Sequence, residues 1–412
     1  MSETTGPSSR AIAVTVMVAA LGYFVDIYDL LLFTIVRVKS LQELGVTGPH
    51  SLDTGLELLS IQMWGLLAGG LAWGVLGDKK GRLSVLFGSI LLYSVANIAN
   101  AFVHTVEAYR IWRFIAGVGL AGELGAAVTL VTEIMPARSR GYGTAVVAGV
   151  GLLGAVAAAL VGRNFSWRTA YIIGGVLGFC LLALRLRMFE SGLYDKVREG
   201  DARKGDVTML LHPWSRASKY LRCIFIGVPI WYVVGILVAS APEFARTFGA
   251  PDAATITPGD AVLFTYVGLV VGDITSGSIS QFVGSRRKVV AAFLVVTALA
   301  VTAYLTQRAP SKTAFYAVCS AMGFGIGYWA VFVTVAAEQF GTNLRATVAT
   351  SVPNFVRGTV PLLAASFKYL RRDVGFGMVK AAVVLGSVCA LIALASLWGL
   401  EETHGKELDY LE

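Results

Sequence analysis

Six ionisable residues interrupt long apolar runs of this sequence: Asp26, Asp29, Arg113, Glu123, Asp273 and Arg357. A charged side chain at the centre of a bilayer costs roughly 2.5–3.5 kcal/mol on insertion scales. Such residues therefore face the interior of a helical bundle, where they bind a solute, carry a proton or pair with one another. Their types favour the movement of a charged solute or a proton, and they contain no nucleophile with a base, as an enzyme would need.

The first two of these residues, Asp26 and Asp29, are three positions apart and share one helix face. Two carboxylates this close repel each other, and burial also disfavours their negative charge. Both effects favour uptake of a proton near neutral pH, as a proton-coupled carrier requires. The alternative is static pairing with Arg113 or another base; for coupling, Asp29 is the preferred candidate.

Arg357 stands near the middle of an apolar segment, in Asn354-Phe-Val-Arg357-Gly358. A guanidinium keeps its charge, so it requires either a protein carboxylate or the carboxylate of a substrate. Arg113 has the same two alternatives, a place at the cavity or a pairing with one of the two aspartates. Asn354, one turn before Arg357, is a further candidate for substrate contact.

Two other acids have less specific settings. Glu123 lies between Gly122 and Gly125, where it can serve proton coupling or bond to a closely packed neighbouring helix. Asp273 lies one turn before Gly277, which favours a role in helix packing or gating.

Aromatic residues inside the apolar runs add candidates for a ligand cavity, because Tyr and Trp offer a flat apolar surface with one polar handle. The candidates for substrate contact are Tyr328, beside Gly327, Trp231, close to Pro229, and Tyr28. Packing between helices is the alternative role of each.

The composition is that of a membrane protein. The 412 residues are 56% hydrophobic and 15% charged, with a mean hydropathy of +0.69, whereas soluble domains carry about 25% charged residues. The net charge of +8 does not indicate nucleic-acid binding, because the basic residues lie between hydrophobic segments. The four cysteines lie in or beside apolar runs without a Cys-x-x-Cys pair, so neither a metal site nor a cofactor is expected.

Twelve apolar runs are long enough to cross a bilayer as helices, each of about 20 residues. They lie near 11–36, 55–77, 83–103, 107–134, 141–162, 168–187, 220–247, 260–283, 288–306, 312–338, 346–367 and 375–399. The polar stretch 189–218 is the expected cytoplasmic linker between an N-terminal bundle of six helices, 1–188, and a C-terminal bundle, 219–412. Lys and Arg are more frequent on one side, which predicts both termini in the cytoplasm of a bacterium and the chain in its inner membrane. Lys368, Arg371 and Arg372 are the main exceptions to that bias.

The two predicted halves repeat each other. Glu133 and Arg140 close the fourth run with the same seven-residue spacing as Glu338 and Arg345, which close the tenth. Gly81-Arg82 after the second run is echoed by Gly284-Ser-Arg286-Arg287 after the eighth. Two parallel repeats of six helices are typical of one large class of secondary transporters.

One loop identifies that class. The segment 74–82, Gly-Val-Leu-Gly-Asp-Lys-Lys-Gly-Arg, closely resembles the signature between helices two and three of the major facilitator superfamily. Arg113-Phe-Ile-Ala-Gly117-Val-Gly119 is similar to the second motif of that family. The resemblance implies an all-α integral membrane protein of twelve transmembrane helices in two pseudo-symmetric bundles, working as a single chain by alternating access.

Spans one and four narrow the resemblance. Asp26-Ile-Tyr-Asp29, the Gly119–Gly125 stretch and the run from Glu133 to Arg140 together resemble proton symporters of aromatic acids and other metabolites, and organic-ion transporters. The fifth run lacks the Gly-Pro pattern of drug/proton antiporters, which disfavours an efflux pump.

The charges at the cytoplasmic ends are expected to act as gates that hold the bundles together when the carrier opens outward, although interfacial anchoring is the alternative. They are Asp78, Arg82, Glu133, Arg138, Arg140, Glu338 and Arg345.

The sequence therefore predicts a proton-coupled symporter of a small organic anion, with sodium as the alternative coupling ion. A transporter of an organic cation or zwitterion stays open, because four acids outnumber two arginines among the six buried charges. A sugar carrier or uniporter is a further alternative, although the spans offer few amide side chains. No Gly-x-x-x-x-Gly-Lys-Ser/Thr loop for ATP is present in the sequence.

Overall fold

The computed structural model describes residues 9–48, 50–80, 82–122, 140–190, 210 and 212–403. Glu123, Glu133, Arg138 and most of the predicted linker lie outside the described residues. So do the side chains of Asp78, Arg82 and Arg140, although their backbone is helical.

All regular secondary structure in the described part of the chain is helical, with no strand. The first half contains α1 (Ser9–Glu43), α2 (His50–Lys80), α3 (Arg82–Asn100), α4 (Val106–Leu120), α5 (Arg140–Asn164) and α6 (Trp167–Glu190). The second half contains α7 (Trp214–Phe225), α8 (Val228–Tyr232), a π-helical segment (Val233–Val238), α9 (Ala241–Thr247), α10 (Pro258–Val283), α11 (Arg286–Leu305), α12 (Lys312–Ile326), α13 (Trp329–Glu338), α14 (Thr342–Arg357), α15 (Val360–Arg372) and α16 (Gly377–Trp398).

Eight helical stretches of the described residues are long and apolar enough to cross a membrane. Shorter apolar helices lie within α3 and α5. The two remaining predicted spans are α4, whose continuation is not described, and α14 with α15, which together cover 342–372. The twelve segments follow the predicted apolar runs in order.

Glycines set the closest helix contacts, and they do so in the same way in both halves. A Cβ on Gly65 of α2 or Gly117 of α4 would collide with the backbone of the other helix. In the same way, a Cβ on Gly268 of α10 or Gly323 of α12 would collide with the backbone of the other helix. Helix backbones approach this closely only where small residues face each other, so the internal repeat is preserved as a packing pattern.

Three spans of the second half are broken. The π-helical segment interrupts the span that begins with α7, and α12 ends at Gly327 before α13 begins. The third break separates α14 from α15 at Gly358, just before Pro361, whose ring fits the first turn of a new helix. Broken helices leave backbone groups and side chains directed at the middle of a bundle, where transporters bind their substrates.

The two halves meet along a central interface, in which α1 and α5 pack on α10, and α2 packs on α14 and α15. The end of α1 and the start of α16 lie together beside one open vestibule. The start of α1 and the end of α16 therefore lie at the opposite end of the bundle. The vestibule end is called the outer end below.

Candidate functional site

An ion pair joins the two halves at the centre of the interface. Nη1 of Arg357, the last residue of α14, lies 3.6 Å from Oδ2 of Asp26 on α1, and both side chains are 1% exposed. That separation is longer than a hydrogen bond, so the two charges attract each other without being locked together. The next residue, Gly358, lets α2 approach closely here, because a Cβ at that position would collide with the Leu67 side chain.

Beside this ion pair lies a small cavity at the interface, to which six spans contribute. It encloses about 20 Å³, which is room for one water molecule but not for an organic acid. Its lining comprises Tyr23, Ile27, Leu152, Ile230, Trp231, Val234, Tyr266, Leu269, Trp329 and Arg357. The Arg357 guanidinium carbon lies 5.9 Å from the centre of the Trp329 ring. The cavity is therefore lined by apolar and aromatic side chains and by one cation, Arg357, and it is closed in this structure.

The second aspartate has different neighbours. Asp29 is 1% exposed and lies against α6, since a Cβ on Gly174 would collide with its Oδ1 atom. Two polar groups of neighbouring helices interact with Asp29: the Arg113 guanidinium of α4, through its charge, and the Asn97 amide of α3. Asp26 and Asp29 are one helical turn apart, yet the first is directed at the other half and the second into its own.

Arg113 is fully buried and held inside the first half. It donates hydrogen bonds to Oε1 of Gln62 and to the Tyr171 hydroxyl, the latter at 3.3 Å, and its guanidinium lies 4.6 Å from the centre of the Phe33 ring. It is not among the residues that line the cavity. Arg113 therefore lies outside the cavity wall in this structure, and its pairing with one of the two aspartates stays a prediction.

The predicted substrate contacts divide in a similar way. Trp231 lines the cavity, whereas Tyr28 donates to the Ala170 carbonyl at 3.0 Å and Tyr328 to the Ile226 carbonyl at 2.9 Å. Asn354 donates across the interface to the Ala121 carbonyl at 3.5 Å. These last three side chains connect helices and do not border the cavity.

Asp273 and Glu338 both act within the second half. Oδ1 of Asp273 accepts a hydrogen bond from the Ala330 amide at 2.9 Å and so caps α13 immediately after the break in its span. Glu338 forms an ion pair with Arg286 at 2.8 Å, at the start of α11. Arg345 is half-buried near the start of α14. In this structure, whose outer end is closed, the Glu338–Arg286 pair lies within the second half. The predicted gating role concerns the outward-open state and stays a prediction.

The sequence did not indicate the ion pairs that close the outer end. Nη2 of Arg37 on α1 contacts Oε1 of Glu243 on α9 at 2.7 Å, with side chains 1% and 15% exposed. Asp53 of α2 pairs with both Arg371 and Arg372 of α15. Both sets join one half to the other, and we call them the outer ion pairs. Arg371 and Arg372 are two of the exceptions to the predicted positive-inside bias, and both have Asp53 as a partner here.

The vestibule lies above these pairs and measures about 900 Å³. The central cavity is therefore separated from the outer end by a layer of paired charges, which are buried or partly buried. Such a layer must separate before a solute can pass from the vestibule to Arg357.

Comparison with known proteins identifies the class that this fold and site define. The family model described as the Major Facilitator Superfamily matches residues 12–365, so the chain belongs to that superfamily. It is a transporter that crosses the membrane many times, and it is not an enzyme, as the sequence predicted.

The chain is similar to the niacin transporter of Acinetobacter baylyi, with 27% identity over 95% of this chain and 94% of that one. It is also similar to the gentisate transporter of Corynebacterium glutamicum, with 25% identity over 83% of this chain and 77% of that one. A crystal structure of a D-xylose-proton symporter shares the fold, with a TM-score of 0.68 and 16% identity over 96% of this chain and 100% of that one. The predicted likeness to organic-acid transporters of this superfamily is confirmed.

Proposed function

We propose that this protein is a proton-coupled symporter of a small aromatic carboxylate in a bacterial inner membrane, with both termini in the cytoplasm. One observation carries the proposal: a buried arginine of one half is paired, beyond hydrogen-bond distance, with a buried aspartate of the other half, beside an aromatic cavity.

The cavity supports the class of substrate. Tyr23, Trp231, Tyr266 and Trp329 offer flat faces on which an aromatic ring can stack once the cavity widens, while Arg357 offers the planar fork that carboxylates prefer. Niacin and gentisate, after which two relatives are named, are aromatic carboxylates. An organic cation would be repelled by Arg357. A sugar would find too few polar side chains in the lining of the cavity.

Coupling follows from the competition for Arg357. A substrate carboxylate that binds the guanidinium displaces Asp26 and leaves it one turn from Asp29, with Arg113 as the cation nearest to the second carboxylate. Two buried carboxylates at that spacing repel each other, which favours uptake of one proton by the pair. The loaded site then has no excess charge, so that the halves can reorient around it.

Transport assays in liposomes test the proposal. The purified protein is reconstituted, internal pH is followed with a trapped dye, and aromatic carboxylates, amines and sugars are added in turn with and without a sodium gradient. We expect internal acidification with aromatic carboxylates and no requirement for sodium.

The matched variants are Arg357→Gln and Arg308→Gln, the second replacing an exposed arginine in the loop after α11. We expect the first to abolish carboxylate-driven acidification and the second to keep it. Acidification driven by an amine, or an Arg357→Gln protein that still moves carboxylates with protons, would exclude the proposed site.

A further inference from the structure

A chain of three hydroxyl groups runs through the first half, from the outer part of α1 towards the α6 turn against which Asp29 packs. The Tyr109 hydroxyl of α4 donates to Ser40 Oγ of α1 at 3.4 Å and lies 2.7 Å from the Tyr171 hydroxyl of α6. Tyr171 is one turn from Gly174, where the Asp29 carboxylate packs against α6. We call Ser40, Tyr109 and Tyr171 the hydroxyl chain.

This chain is isolated from both water and the substrate cavity. Ser40, Tyr109 and Tyr171 each have no exposed surface. Their helices all belong to the first half, and none of the three residues lines the cavity between the halves. A rocking motion of one half against the other therefore leaves their mutual contacts in place.

The outer end of the chain is near an accessible carboxylate. Ser40 is one helical turn before Glu43, whose side chain is 50% exposed and is held by Arg168 at 2.9 Å. A proton in the water at that end thus meets an acceptor about one turn from the first buried hydroxyl.

From these contacts we infer that the hydroxyl chain delivers the coupling proton from the outer end to Asp29, by a route separate from that of the substrate. The inference rests on the proposed proton symport. It assigns Ser40, Tyr109 and Tyr171 as positioning residues for proton transfer, and Asp29 as the acceptor.

The chemistry of the chain is suited to this task, because each hydroxyl can both accept and donate a hydrogen bond. In this structure Ser40 Oγ donates to the Arg37 carbonyl at 3.1 Å and Tyr109 donates to Ser40, so the hydroxyls first rotate until each donates in the direction of Asp29. A proton arriving at Ser40 Oγ then releases the original Ser40 proton to Tyr109, which releases its own to Tyr171. The Tyr171 hydroxyl, which has no hydrogen bond to Asp29 in this structure, then turns to the Asp29 carboxylate and passes on its proton, and the hydroxyls rotate back. Every O–H bond that breaks is replaced, and the net change is one proton gained by Asp29.

The neighbours of Asp29 are consistent with a terminal acceptor. The groups that act on it are Asp26 on its own helix, Arg113 of α4, Asn97 of α3, Tyr28 of α1 and Tyr171 of α6. Arg113 donates to Tyr171 at 3.3 Å and fixes that hydroxyl between itself and Tyr109. Since guanidinium keeps its proton, Arg113 orients the chain without conducting along it.

Two kinds of flux distinguish a proton route from ordinary packing. Net uptake of carboxylate against its gradient needs one proton per cycle, whereas exchange of internal for external carboxylate proceeds with Asp29 continuously protonated. Loss of the proton route slows the first flux and spares the second.

The test uses Tyr109→Phe and Tyr171→Phe in liposomes, with Ser40→Ala as the smallest change. We expect net proton-driven uptake to fall roughly 10²-fold, the low end for a positioned proton-transfer group, while exchange stays within about twofold of the native rate. Tyr232→Phe is the matched control, because it removes a buried hydroxyl that bonds a backbone carbonyl in the second half. That variant should keep both fluxes.

Equal loss of both fluxes in the Tyr109 and Tyr171 variants, with Ser40→Ala unchanged, would show that the hydroxyls only stabilise the fold. Native-like net uptake in all three variants would equally refute the route. Native protein that carries carboxylate without any proton would instead refute the proposed function itself, which separates the two failures.

Discussion

Loss of the Arg37–Glu243 pair should increase the population of molecules whose outer end is open. Glu243→Gln leaves the guanidinium of Arg37, which is 1% exposed, without its charge partner whenever the outer end is closed. Removing one partner of a buried, hydrogen-bonded charge pair costs about 2–5 kcal/mol, and the partial exposure of Glu243 places this pair near about 2 kcal/mol. When the outer end opens, water solvates Arg37 and the penalty disappears. Because 1.4 kcal/mol is a tenfold change, the open population should rise about 30-fold.

Labelling of a cysteine below the outer ion pairs measures that population. Val234 lines the central cavity, so Val234→Cys reacts with a membrane-impermeant maleimide from outside only while the outer end is open. Cys180 is exposed and is replaced by Ser in the same background. We expect the labelling rate in intact cells to rise about 30-fold in Glu243→Gln, in proportion to the open population.

A neighbouring ion pair provides the control. Glu57 and Arg110 are 51% and 35% exposed and belong to the same half, so Glu57→Gln should leave the labelling rate unchanged. An unchanged rate in Glu243→Gln, or an equal rise in both variants, would refute the assignment of the outer ion pairs as a gate.

Three further predictions follow from the same geometry. Asp53→Asn removes the shared partner of two arginines of α15 and should also raise the outside labelling rate, by at least as much as Glu243→Gln, since two cations lose one anion. Gly69→Ala should lower the thermal unfolding temperature in detergent because its Cβ meets the backbone of α4, whereas Gly70→Ala, with open space around it, should leave that temperature unchanged or raise it. Asp273→Ala should lower the unfolding temperature slightly, since the cap of α13 that it removes typically contributes about 1 kcal/mol, and it should leave the proton requirement of transport intact.

Much of the fold could be read from the sequence, because each apolar run reports a span and each repeat reports its counterpart. The glycine pairs Gly65 with Gly117 and Gly268 with Gly323 show why the repeat was visible. Close contact between helix backbones requires a residue without a side chain, so glycine recurs at the contact positions of both halves.

The site was only partly predictable, because a span that is apolar all round does not reveal which face is directed at which neighbour. The three-residue spacing placed Asp26 and Asp29 on one face, but it could not show that one pairs with Arg357 and the other lies near Arg113. The residue type of Tyr28 suits contact with a substrate, but in the structure its hydroxyl connects α1 to α6.

Contacts between the halves were the least predictable feature. Asp53 and its two partners are more than 300 positions apart, and no local pattern links them. The positive-inside rule marked Arg371 and Arg372 as exceptions, which was the available signal that these charges have a specific role.

The most direct measurement for the central claim is proton uptake by the purified protein when an aromatic carboxylate binds. A pH indicator in weakly buffered detergent solution records it, and calorimetry records the binding. The native protein should take up about one proton per carboxylate bound, because displaced Asp26 is left beside a like charge. Asp26→Asn should bind the same carboxylate at least as tightly, since its competitor for Arg357 is gone, and should take up no proton. Binding without proton uptake in the native protein, or undiminished uptake in Asp26→Asn, would contradict the proposed coupling.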